Sequence, residues 1–76
     1  MEDWITSKPG ILGGKPIIRG TRISVAFLLE LFASGWTVEQ ILEGYPHLTR
    51  EGILAALRYS AEVLHGEQVL SLSDHT

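Results

Sequence analysis

Eleven residues, Gly13-Gly14-Lys15-Pro16-Ile17-Ile18-Arg19-Gly20-Thr21-Arg22-Ile23, carry three cationic side chains on a backbone broken by glycine and proline. Such a stretch invites phosphate chemistry, because backbone N–H groups and Lys or Arg side chains together hold anions. A nucleotide-binding P-loop is excluded by spacing. Gly10 and Gly14 leave three residues between them, and Pro16 follows the lysine where that loop needs Ser or Thr. Two readings of the cations stay open: Lys15, Arg19 and Arg22 hold nucleic-acid phosphates or enter a minor groove, or the arginines brace the turn by bonding to carbonyls and helix acids.

Other chemistry finds little footing. His47, His65 and His75 fall in a turn, at a helix end and in the tail, with no zinc-like spacing, and the chain has no cysteine. Glu39 and Glu43 share a helical face, which reads as a solvated surface rather than an acid pair. No serine has a His and acid suitably spaced. The expectation is a protein that is not an enzyme and needs no cofactor or metal.

Charge sharpens the binding reading. The formal net charge is -3, yet residues 8–22 hold four of the six Lys and Arg and no acid, whereas residues 23–76 hold two Arg against seven acids. Any DNA contact therefore depends heavily on the N-terminal arm. No apolar run is long enough to cross a bilayer, and the acidic start lacks the basic region of a secretory signal, so a cytoplasmic location is expected.

The elements that must position these residues are legible from caps and periodicity. Trp4-Ile5-Thr6-Ser7 reads as a short strand ended by Lys8-Pro9-Gly10, and two further extended segments join through Arg19-Gly20-Thr21. Ser24 caps a first helix that runs from Val25 through Ser34 until Gly35 ends it. Val25, Leu28, Leu29 and Phe32 form its core stripe, leaving Phe27 and Leu31 as a second apolar pair. In a chain of 76 residues, that second face is expected to meet another copy, with Phe27 and Leu31 in a homodimer interface; the alternative is that the N-terminal strands cover it.

Thr37 and Gln40 match a capping box for a second helix, with Val38, Ile41, Leu42 and Tyr45 on one face and Pro46 beyond its end. Thr49 caps a third helix in which Ile53, Leu54, Leu57, Ala61 and Leu64 are expected inside, and Gly66 is expected to stop it. The chain thus divides into an arm (1–24), a three-helix core (25–65) and a flexible tail (66–76), whose Val69, Leu70 and Leu72 could order on a partner. Three helices with a short turn before the last form the arrangement of a DNA-binding domain. The candidate contacts are Lys15, Arg19, Thr21 and Arg22 from the arm and Thr49, Arg50 and Arg58 from the third helix.

The stretch Gly14 to Val25, then Gly35, Tyr45-Pro46-His47-Leu48-Thr49 and Ala55-Ala56-Leu57-Arg58-Tyr59, resembles domain-of-unknown-function family 433, a group of small VapB-like antitoxins. The likeness covers roughly residues 4–64. It implies a mainly α, homeodomain-like helix-turn-helix fold with a short β arm, a homodimer, a PIN-like ribonuclease toxin as partner, and repression of its own operon through promoter DNA. The family's characteristic segment falls on Gly14, Lys15, Pro16, Arg19, Gly20, Thr21 and Arg22, and its turn on Tyr45 and Pro46. Gly52 departs from the polar or acidic residue usual at its position. A protein-interaction module without specific DNA binding is the alternative.

Overall fold

Each helix begins where a hydroxyl side chain satisfies a backbone N–H that the helix itself cannot pair. In a computed structural model that describes residues 4–67, Ser24 Oγ accepts from the Phe27 N–H at 2.9 Å and opens α1, Val25–Ala33. Thr37 and Gln40 form the reciprocal capping box of α2, Val38–Gly44, with bonds of 2.8 and 3.1 Å. Thr49 Oγ1 accepts from Gly52 N–H at 3.0 Å at the start of α3, Arg50–Glu67.

The connections are equally local. Gly35, at φ 96°, follows the last turn of α1, where Gly35 N–H donates to Phe32 O and Trp36 N–H donates to Leu31 O. This is the Schellman arrangement, and it needs a left-handed residue at that point. Between α2 and α3, Leu48 N–H donates to Tyr45 O at 2.9 Å, closing a turn around Pro46 and His47. The helix that was expected to stop at Gly66 continues to Glu67. One glycine near a helix end lowers stability by about 1 kcal/mol and does not by itself terminate it.

The arm is a small antiparallel sheet. Strand β1, Ile5–Thr6, pairs with β2, Ile17–Ile18, in the register Ile5 with Ile18 and Thr6 with Ile17. On the other side of β2 the chain folds back, with an Ile17–Ser24 bridge, Ile18 N–H donating to Ile23 O and Val25 N–H donating to Pro16 O. The extended segments expected on both sides of Arg19-Gly20-Thr21 are therefore present. Between the strands, Ile11 N–H bonds to Lys8 O around Pro9-Gly10, and Leu12, Gly13 and Gly14 then run left-handed at φ 51°, 67° and 85°.

The core joins arm and helices: Ile18, Val25, Leu28, Leu31, Ile41, Leu48, Ile53 and Ala56 are buried together. Two expected faces are corrected. On α1 the stripe centres on Leu28 with Val25 and Leu31 three residues to either side, so Leu31 is core and Leu29 is 37% exposed. At about 100° per residue, Leu31 lies about 60° from Leu28 and Leu29 about 100°. On α3 the buried residues are Gly52, Ile53, Ala55 and Ala56, while Leu54, Ala61 and Leu64 face outward. Small residues face inward because α3 lies against the sheet and α1 at once. A Cβ placed on Gly52 would stand 3.5 Å from both Ile18 Cγ2 and Trp4 Cε3.

Candidate nucleic-acid interface

The basic arm is built around one turn. Thr21 N–H donates to Ile18 O at 3.0 Å, and Gly20, third in the turn, sits at φ 83°, the requirement of a type II turn. The Thr21 hydroxyl donates to Ile18 O at 2.8 Å and accepts from Ile23 N–H at 3.0 Å. Thr21 thus holds the turn closed, and its one hydroxyl proton is already engaged. Arg19 and Arg22 flank it with exposed side chains, while the Arg19 backbone N–H donates to Trp4 O at 2.7 Å and ties the turn to the start of β1.

The cations of the arm do not form one patch. Arg22 lines a cleft of about 510 Å³ together with Lys8 and with His47 from the α2–α3 turn, over a floor that includes Ile11, Ile17 and Ile23. Lys15 lines a separate groove of about 370 Å³, with Leu29 of α1 and Tyr59, Val63 and Leu64 of α3. Adjacency in sequence suggested a single arm surface. The left-handed run at Leu12 to Gly14 and the turn at Gly20 send its cations to different walls.

On α3, Arg50, Leu54 and Arg58 are exposed and four residues apart, so they form one outward stripe opposite Gly52, Ile53 and Ala56. Arg50 is not idle. Its guanidinium donates to Glu39 Oε2 at 3.0 Å across the α2–α3 turn. That hydrogen bond is the main reason the Glu39 carboxyl is held below its ordinary value, with a backbone hydrogen bond and the charge of Arg50 adding to it. Thr49, by contrast, has its hydroxyl committed to the helix cap.

Of the candidate DNA contacts, the structure brings Arg50 and Arg58 onto one face of α3. Arg22 lies beside the turn that precedes that helix, Lys15 stands in another groove, and Thr21 and Thr49 act in the backbone geometry. Lys8, from the same acid-free segment, and His47, from the α2–α3 turn, line the cleft with Arg22. Among the described residues no group of three or more His, Cys, Asp or Glu is placed to hold a metal.

The proposed dimer residues separate. Leu31 is buried in the core of its own chain, because it follows Leu28 at helical spacing, and so it is not available to a second copy. Phe27 is 37% exposed and packs edge-on against Tyr45, with ring centroids 5.7 Å apart. Tyr45 also meets Trp36 at 6.3 Å, so these rings knit the end of α2 to α1. The tail residues Val69, Leu70 and Leu72 lie outside the described residues.

Residues 5–60 match a family described as Protein of unknown function (DUF433). The chain belongs to this family. It is 43% identical over 65 residues to the uncharacterised protein y4eO of Sinorhizobium fredii, a match that covers 84% of this chain and 29% of that protein. The chain thus spans less than a third of the length of that relative. The crystal structure of a family member from Anabaena variabilis superposes with a TM-score of 0.76 at 36% identity, over 80% of this chain and 60% of that one. No described helix is long and apolar enough to cross a membrane.

Proposed function

We propose that this protein is a DNA-binding antitoxin: a homodimeric, cytoplasmic helix-turn-helix protein that represses its own promoter and neutralises a PIN-like ribonuclease encoded beside it. The observation that carries the DNA reading is the outward face of α3. Arg50, Leu54 and Arg58 lie along one exposed stripe of the helix that follows the turn, where a helix-turn-helix domain presents its base-reading side chains. An exposed leucine between two arginines suits a major groove, since the thymine methyl is an apolar target and guanine offers paired acceptors. The antitoxin role rests on the family resemblance, and the acidic remainder of the chain suits a basic nuclease surface.

A second reading, a protein-interaction module, draws on the groove between α1 and α3. Leu29, Val63 and Leu64 are exposed there at 37%, 48% and 64%. In this reading the groove takes a protein partner and α3 makes no specific DNA contact. Co-expression of the gene with its chromosomal neighbour, followed by affinity purification, tests the antitoxin role. A stoichiometric complex in which nuclease activity is suppressed is the expected result. A neighbour that neither co-purifies nor cleaves RNA refutes it.

A further inference from the structure

The cleft at the α2–α3 turn has a composition that the arm's sequence alone does not reveal. Its rim carries Lys8 from the β1–β2 connection, Arg22 from the Gly20 turn and His47 from the α2–α3 turn. These come from three separate segments, and no Asp or Glu is among the described residues that line the cleft. Among the described residues, no side-chain hydrogen bond or ion pair engages Lys8, Arg22 or His47. Beneath the rim lie Ile11, Ile17 and Ile23, and Ile17 is 1% exposed.

We propose that this cleft is a phosphate clamp for the nucleic-acid backbone, set where the α2–α3 turn leads into α3. The inference rests on the DNA-binding reading above and adds the site that positions it. Lys8 and Arg22 supply the charge, and His47 supplies an N–H donor whether or not it is protonated. Ile11 and Ile23, both half-buried, offer an apolar surface for the deoxyribose rings, over the buried Ile17. Backbone contacts set register and orientation on DNA; in a helix-turn-helix unit the first helix crosses the backbone and the N-terminal end of the second enters the groove, and His47 stands three residues before Arg50, between the two. Lys15, in another groove, has no part in the clamp.

Each neutralised phosphate contributes about 0.9 to the slope of log K against log salt. Removing two contacts therefore lowers the slope by roughly 1.8, which corresponds to roughly 60-fold weaker binding at 0.1 M salt if the electrostatic part vanishes near 1 M. The test uses fluorescence anisotropy with a labelled duplex from the region upstream of the gene, over a series of salt concentrations. The wild type is measured against the Lys8→Ala, Arg22→Ala double variant and against Lys15→Ala, with circular dichroism to confirm that each is folded. The clamp requires the lowered slope in the double variant and an unchanged slope in Lys15→Ala.

Four results overturn it. A double variant that binds with the wild-type slope removes the clamp while leaving DNA binding by α3 intact. Equal losses in Lys15→Ala and the double variant show a diffuse charge effect rather than a site. No duplex binding by the wild type removes both the clamp and the DNA reading. A further arm separates a backbone phosphate from a free one: dAMP or inorganic phosphate that binds saturably at Lys8, Arg22 and His47 by amide chemical shift, while the duplex leaves those amides unmoved, reassigns the cleft to a small phosphorylated ligand.

Discussion

Gly52 is where the arm meets α3, and substitution there measures how tightly the two are joined. A methyl group at this position would stand 3.3 Å from Thr49 Oγ1 and 3.5 Å from Ile18 and Trp4. The two 3.5 Å contacts are ordinary, but the closer one presses on the oxygen that caps the helix. Gly52→Ala gains up to about 1 kcal/mol of helix propensity, less in a first turn. Displacing the cap gives back about 1 kcal/mol, so this variant is expected within about 1 kcal/mol of the wild type. Gly52→Leu differs, because its further carbons enter the space held by Ile18, which is 2% exposed, and by Trp4. Overpacking of this kind costs about 1–3 kcal/mol. For a domain of this size the midpoint of thermal unfolding should fall by roughly 8–16 °C for a loss of about 2 kcal/mol. Calorimetry reads the midpoint, and Trp4 fluorescence in a Trp36→Phe background reads the arm. Wild-type stability in Gly52→Leu together with an unshifted Trp4 spectrum would refute the packing of the arm on α3.

Two further outcomes follow from local geometry. Gly35→Ala meets no atom within 4 Å, so its whole effect comes from placing an L-residue at φ 96°, an expected loss of about 1–2 kcal/mol by urea denaturation; Gly10→Ala, equally open and not at positive φ, should lose nothing. The Glu39 carboxyl is held below its ordinary value of 4.5 chiefly by the hydrogen bond from Arg50, so its stabilising contribution is present above that pH and is lost as pH falls through the lowered folded value. Both side chains are more than half exposed, so Arg50→Ala should raise the Glu39 pKa by NMR titration while lowering the unfolding midpoint at pH 7 only slightly. An unmoved Glu39 titration would contradict the pairing.

What could be read from sequence was what is decided within a few residues. Ser24, Thr37 and Thr49 announce helix starts because a hydroxyl finds an N–H three positions on, and Gly35 announces a stop because it alone tolerates the left-handed cap. The arm's turn at Arg19-Gly20-Thr21 was visible for the same reason. The inner face of α3 was not, because hydrophobicity favours Leu54 and Leu64, whereas close approach to the sheet favours Gly52, Ala55 and Ala56. Leu31 and Leu29 exchange places for a related reason. Both extend an apolar pattern around Leu28, and only the direction from which α3 arrives decides between them. The site suffered most, since charge counting cannot see that the Thr21 hydroxyl closes a turn, that Arg50 meets Glu39, or that Lys8 and Arg22 converge on His47 while Lys15 does not.

Competition binding reads out whether the outward face of α3 binds DNA with sequence specificity, as proposed. Wild-type protein is titrated into labelled duplex from its own upstream region, with an unlabelled duplex of the same length and unrelated sequence as competitor, alongside Arg58→Ala. Saturable binding that the unrelated duplex displaces poorly is expected, with relaxed discrimination in the folded variant and about 1–3 kcal/mol lost at the affected base pair. Equal displacement by both duplexes, or no binding at all, would contradict it.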